Sequence, residues 1–303
     1  MIEANVVCDS ISPEGKRLTT FKLRYPKFIH GEFMTHRVIS RNASSSRAVP
    51  TSKLIEEVQS GELRAGPVFW GKNQKGMQAT EEAEGDQLVA MQDCWRNAAT
   101  AAADWAKGMA LVGAHKQIVN RLLEPFSHIN VVATATEWRN FFGLRLHRDA
   151  QPEMRALALA MWEARKASEP KYRAPSDWHL PFVAHEDHEA CDQMTIHLET
   201  RTIQDTHNTA IKVSVARCAR VSYESHETGK RSTVVEDLAL YERLLGAQPL
   251  HASPAEHQAT PDEYYLGGWS NNNQQGNFVG WRQYRKMLPS ESCAPIPEEF
   301  QPC

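Results

Sequence analysis

The chain of 303 residues has no C-x-x-C pair; its six cysteines, at 8, 94, 191, 218, 293 and 303, are scattered. A zinc ribbon or a dithiol redox site needs such a pair, so neither is indicated and the thiols read as reduced and mostly structural. No apolar run approaches the roughly 20 residues a membrane helix needs, and the start MIEANVVCDS lacks the basic-then-apolar layout of a secretory signal. The expectation is a cytoplasmic, soluble protein, in keeping with a mean hydropathy of −0.52. A charge excess is also missing: the net charge is −3, which argues against general nucleic-acid binding, so any anion site must be local. The G-x-G-x-x-G fingerprint of dinucleotide folds is absent as well.

What is present is patterned. In TTFKLRYPKF, starting at Thr19, Phe21, Leu23 and Tyr25 alternate with Lys22 and Arg24, the period of a half-buried strand ending at Pro26. Residues 80–124 read as helical, with acids at the start and the alanine-rich AATAAADWAKGMA in the middle. Trp138, Phe141, Phe142 and Arg145 recur at helical spacing, Pro152 implies a break, and Met154, Leu157, Ala158, Met161 and Trp162 continue a helical face. Residues 167–208 are polar and proline-containing and read as an insertion or lid. Ile211, Val213 and Val215 alternate again, and residues 288–303 read as a loose tail. With no repeat and no clear linker, the expected architecture is α+β, an antiparallel sheet packed with long helices, in a single domain spanning 1–303 with one inserted lid.

The chemistry concentrates in THRVISRNASSSR. Within thirteen residues it gathers His36, Arg37, Ser40, Arg41, Asn42, Ser44, Ser45, Ser46 and Arg47, cationic forks and hydroxyls suited to phosphate oxygens. Composition alone would describe a solvated basic loop; the spacing distinguishes it. H-R-x-x-S-x-N-x-x-S-x-R, formed by His36, Arg37, Ser40, Asn42, Ser45 and Arg47, resembles the signature of the flavin-dependent thymidylate synthases. That signature opens with arginine, has glutamate after the asparagine and tyrosine after the last arginine; here Thr35, Ala43 and Ala48 stand in those places.

Further blocks resemble the same family. TEWRNFFGLRLHRDAQPEMR, residues 136–155, looks like its helical segment, which implies that Asn140 touches flavin and Arg145 binds the pyrimidine ring. Physical reasoning adds that Arg145, on a face with aromatics, needs an anionic or carbonyl partner, and an internal carboxylate would serve as well. NRLLEP, Asn120–Pro125, resembles the segment whose arginine, here Arg121, contacts the phosphate. ARVSY and HASPAEH, at 219–223 and 251–257, resemble elements that lie ahead of the signature in the short family form, and GNFVGWRQYRK, at 276–286, resembles the approach to it. Their late position suggests a long, circularly permuted or partly duplicated layout. On that reading Ser222, Ser253, Glu256 and His251 join the cofactor-binding set of His36, Arg37, Ser40, Asn42 and Asn140, while Gln283 and Arg285 join the nucleotide set and supply what Glu32 and Thr35 do not.

The resemblance implies reductive methylation of dUMP at C5, with methylenetetrahydrofolate as carbon donor, FAD as hydride carrier and NADPH as reductant, in a homotetramer. No cysteine here has the P-C-H context of the flavin-free thymidylate synthases, so the protein's task is positioning and electrostatics. Arg145 would stabilise charge on the ring carbonyls; Ser45, Arg47 and Arg121 would hold the nucleotide, with no base beside Ser45 to make it a nucleophile. Two alternatives stand beside this reading. One is hydroxymethylation of dUMP or dCMP. The other is a metal-binding module built from His179, His185, Asp187 and His188, against which stands the lack of a helix that sets two of them reliably on one face. WHLPFV, Trp178–Val183, reads as a hydrophobic patch that closes over the site or packs on a neighbour.

Overall fold

A computed structural model describes residues 1–196, 203–222, 232–246, 250–289 and 291, with the backbone alone for 192–196, 203–207 and 222. The strands β1 (Glu3–Ile11), β2 (Arg17–Pro26), β3 (Ser40–Ala43), β4 (His128–Ala135) and β5 (Lys171–Tyr172) form one sheet in the order β3-β4-β2-β1-β5. All neighbours are antiparallel except β1 and β5. The alternation seen in the sequence sorts side chains between the two faces of this sheet.

One face is an apolar layer. Phe21, Leu23 and Tyr25 of β2 and Ile129, Val131, Ala133 and Ala135 of β4 meet Phe33 of α1 (His30–Phe33), and helices that follow β4 close the layer. Beside this layer α2 (Thr51–Gln59) packs Leu54, Ile55 and Val58 against α3 (Gly85–Leu111), and α4 (Lys116–Val119) adds Val119. Along α3 the buried residues are Ala99, Ala103 and Ala106, so small side chains at helical spacing let its backbone approach α2 closely. Phe141 and Phe142 of α5 (Arg139–Arg145) and Met154, Leu157, Ala158 and Met161 of α6 (Pro152–Ala167) complete the first layer. Pro152 occupies the start of α6, where its missing N–H costs nothing, and the Gln151 side chain accepts from the Met154 amide.

The C-terminal half covers the opposite face. Its helices α7 (His185–Ile196), α8 (Ile203–Ala219) and α9 (Val234–Leu245) share a second core. A buried Arg217 ties them together, pairing with Asp187 of α7 and Asp237 of α9. The capping box of Thr233 and Glu236 starts α9. Beyond it come β6 (Ala259–Pro261), the hairpin of β7 (Tyr264–Tyr265) and β8 (Gly268–Trp269), β9 (Trp281–Gln283) paired with β6, and α10 (Tyr284–Met287).

The seam between the halves is a polar row. Cys8, Thr20, Thr134 and Ser40 are register partners across four strands. The Thr20 and Thr134 hydroxyls bond each other at 2.7 Å, His179 reaches Thr20 at 2.8 Å and His257 reaches Thr134 at 2.8 Å. Both imidazoles are fully buried. Burial holds His179 well below the usual histidine range and pushes His257 down to about 3, so both are neutral.

Three expectations change. The described part of 167–208, read as an insertion or lid, packs into the fold: Lys171–Tyr172 is a sheet strand, His179 and Leu180 are buried, and α7 and α8 take up much of the rest. Ile211, Val213 and Val215 lie in α8, which is buried on so many sides that apolar residues lose the helical period. WHLPFV packs into the second core of its own chain through Trp178, Leu180 and Val183. Of the 288–303 tail, 290 and 292–303 lie outside the described residues, while Glu291 pairs with Arg285 and Lys286.

Candidate functional site

The strand period divides the Thr35–Arg47 cluster. Ser40 and Asn42 sit opposite Thr134 and Val132 and face the C-terminal half, at 1% and 9% exposure. Both bond to residues of that half. Asn42 donates to the Cys218 carbonyl at 2.8 Å and accepts from the Ser253 hydroxyl at 3.3 Å. Ser40 receives the Gln283 amide at 3.1 Å and the Asn277 amide at 3.4 Å. These two residues therefore anchor one half of the molecule on the other, and their side chains are closed to a ligand in this arrangement.

The turn ahead of β3 carries a different group. Arg145, the last residue of α5, donates from Nε to His36 Nε2 at 2.9 Å and from one terminal nitrogen to the Glu32 carboxylate. Guanidinium carries five N–H groups, so three remain. The Arg145 side chain is 18% exposed and that of Glu32 33%. His36 is stacked edge-on against Phe141 with ring centroids 4.9 Å apart. Burial, with the cations of Arg145 and Arg41 beside it, lowers its basicity. A neutral ring that accepts at Nε2 carries its proton on Nδ1. Arg41 braces the turn by donating to the His36 carbonyl at 2.7 Å.

Past β3, alternate serines again point two ways. The Ser44 hydroxyl accepts from the Asn130 amide at 3.0 Å, and that of Ser46 donates to Glu124 at 2.6 Å. The buried Asn120 donates to the carbonyls of Ser46 and Val49, fixing the loop from beneath. Ser45 is left facing outward with Arg47, whose backbone amide donates to the Ser45 hydroxyl at 3.3 Å. Arg47 and Arg121 are exposed, and Arg121 lies close enough to Glu124 to favour its charged form. This surface offers a hydroxyl and two guanidiniums, a set matched to phosphate.

The remaining sequence candidates fall around these groups. Gln283 is 2% exposed and also donates to the Glu256 carbonyl at 3.0 Å, so it is an anchor, not an open nucleotide contact. Its carbonyl lies against Gly276, where a Cβ would stand 2.5 Å from it and φ is +59°, so only glycine fits. Arg285 is paired with Glu256 and Glu291. Arg37, Asn140, Ser253 and His251 are exposed. Ser222 ends a short turn, Arg220–Ser222; its side chain lies outside the described residues. The late blocks thus converge on β3 from the C-terminal half. Glu32, which the sequence reading set aside in favour of Gln283 and Arg285, is the partner of Arg145, and Asn277 went unnamed. A carboxylate four residues before His36 was a visible signal for the first, whereas Asn277 contacts a residue 237 positions away.

The histidine cluster does not assemble a metal site. His179 is bonded to Ser10 and Thr20, and Asp187 is held by Arg217. Among the described residues no three histidines, cysteines or carboxylates group as metal ligands.

Among the described residues, concavities flank the sheet. A groove of about 470 Å³ runs beside α5, lined by Trp138, Phe142, Trp162 and Arg165. A cleft of about 310 Å³ lies at the far sheet edge beside Cys8, Lys171 and Arg173.

Comparison with known proteins adds the following. A family model described as thymidylate synthase complementing protein matches residues 17–171 in one continuous stretch. The match contains β2, the motif, Arg121 and α5, and ends before the C-terminal half. No curated protein matches the chain. Among solved structures, the UMP/dUMP methylase PolB from Streptomyces cacaoi bound with 5-Br UMP is similar with a TM-score of 0.45 and 18% identity, over 55% of this chain and 88% of that one. The same enzyme bound with 5-Br dUMP gives 0.44 and 17%, over 55% and 90%.

Proposed function

This chain belongs to the thymidylate synthase complementing protein family, and on that premise we propose that it is a flavin-dependent enzyme acting at C5 of dUMP by reductive methylation. The observation that carries the reading is the guanidinium of Arg145. Glu32 and His36 fix it from two sides, and three of its N–H groups stay uncommitted among the described residues. A cation held in place before substrate arrives stabilises charge that develops on ring carbonyls without reorganising. Ser45, Arg47 and Arg121 present the outward hydroxyl and guanidiniums that would take the 5′-phosphate.

The cofactor set narrows on the same grounds. Arg37, Asn140 and His251 reach solvent and carry donors suited to phosphate and ring heteroatoms, so these are the residues that would hold FAD, with Ser253, exposed but donating to Asn42, beside them. Ser40, Asn42 and Glu256 are taken by contacts within the chain and would act by fixing β3 and the turn packed on it. Reduced FAD, when bound, supplies hydride chemistry; methylenetetrahydrofolate would bring the carbon and NADPH the reducing equivalents. A homotetramer in the cytoplasm completes the proposal.

Hydroxymethylation is the alternative, left open by Thr35, Ala43 and Ala48 standing at altered signature positions. The purified protein should be yellow, with the absorbance of oxidised flavin. With methylenetetrahydrofolate and NADPH it should convert dUMP to a product whose mass separates a methyl from a hydroxymethyl group. A colourless protein that takes up no added FAD overturns the reading.

A further inference from the structure

The side chain at position 32 carries information that the phosphate contacts do not. Only one Glu32 oxygen is used by Arg145; the other takes no hydrogen bond among the described residues, and the side chain is one-third exposed. The salt bridge therefore sets a free acceptor beside the free donors of one guanidinium. A carboxylate accepts and cannot donate, and a guanidinium donates and cannot accept. Side by side they form a fixed two-point pattern, braced by His36 on the Arg145 Nε and by Arg41 on the His36 backbone.

Pyrimidine edges differ in that pattern. Uracil offers a donor at N3–H next to carbonyl acceptors, whereas cytosine has an acceptor at N3 and a donor on its exocyclic amine. We infer that Glu32 is the specificity-determining residue of this site: its free oxygen accepts N3–H of uracil while Arg145 donates to the adjacent carbonyl. This rests on the reading that Arg145 faces a ring carbonyl. With the guanidinium there, cytosine would set its N3 lone pair against a carboxylate, leaving a buried acceptor unpaired and repelled. Glutamine at position 32 would lose this selectivity, because an amide rotates to present either an oxygen or an NH₂.

Titration calorimetry of the full-length protein tests this by binding alone. Wild type should bind dUMP at least about 100-fold more tightly than dCMP, as sites built to hydrogen-bond a substrate group reject analogues lacking it. It should reject 3-methyl-dUMP, which has no N3–H, to a similar degree. In E32Q the dUMP/dCMP ratio should fall below about 10, chiefly through tighter dCMP binding. A ratio unchanged in E32Q, or wild-type protein that binds 3-methyl-dUMP as well as dUMP, overturns the inference while leaving the nucleotide reading intact. The 3-methyl-dUMP arm needs no variant and so does not depend on how E32Q folds. Wild-type protein that binds none of the three nucleotides defeats the nucleotide reading and this inference with it.

Discussion

Ser45 and its two neighbours show how a run of like residues divides labour. Ser44 and Ser46 are drawn inward, one capping the Asn130 amide and one bonded to Glu124, while Ser45 is turned out beside Arg47. Substituting Ser45 by alanine removes one hydrogen bond to a charged phosphate, worth about 1.5–3 kcal/mol, and should weaken dUMP binding by roughly 10- to 100-fold. Because no buried partner is orphaned, the melting temperature should hardly move. Equilibrium binding beside single-turnover rates checks this: unimpaired binding with abolished turnover would instead make Ser45 a reacting group. At this scale much was legible. Arg145, Ser45, Arg47 and Arg121 are named as candidates by the family resemblance of the motifs that hold them, and the chemistry each would bring lies in its own side chain. Ser40 and Asn42 were legible as important but not in role, since a hydroxyl or amide bonds ligand and protein equally well, and only the packing across β3 decides which.

β3 is an edge strand of four residues, paired on one side with β4 and packed on the Ser253–Glu256 turn. Short strands of this kind have few ladder bonds, so side-chain anchors carry a larger share of their order. Gln283 is the anchor that joins Ser40 to the Glu256 carbonyl. Its replacement by leucine is close in volume but removes the amide that serves the Glu256 carbonyl and leaves Ser40 with the Asn277 amide alone, and should cost about 1–3 kcal/mol in urea unfolding. Since β3 carries the motif, nucleotide affinity should fall too; unchanged stability would mean that water replaces the amide. Elements that keep polar side chains on one side, such as β2 with half-buried Lys22 and Arg24 and the largely exposed α3, kept a readable period. α8 did not, because over Val213–Ala219, between α7, α9 and the sheet, every side chain is buried and none marks its pitch.

The two halves of the molecule meet across neutral, buried histidines, and this has a pH signature. His179 and His257 are held below the ordinary histidine range by burial, and His36 by burial followed by its neighbouring cations. A depressed folded-state pKa means that the unfolded chain binds the proton first. Stability is then full above the unfolded value of about 6.5 and declines as pH falls towards the folded value. For His257 the window runs down to about 3. The melting temperature should drop steadily from about pH 7 to about pH 4, and less steeply in H257Q, which cannot charge. Equal slopes for the two proteins would show that His257 does not contribute.

By itself the sequence determined the chemistry on offer: the guanidiniums, the run of serines, the strand of alternating apolar residues and the alanine-rich helix. Each of these follows from side-chain type and local period, which are properties of neighbours in the chain. Tertiary structure alone decided that Glu32 pairs with Arg145 across 113 positions and that Gln283 closes on Ser40 across 243. Those contacts arise because a sheet has two faces and something must cover each, and which distant segment does so is set by packing and mutual hydrogen-bond satisfaction, which no local pattern encodes.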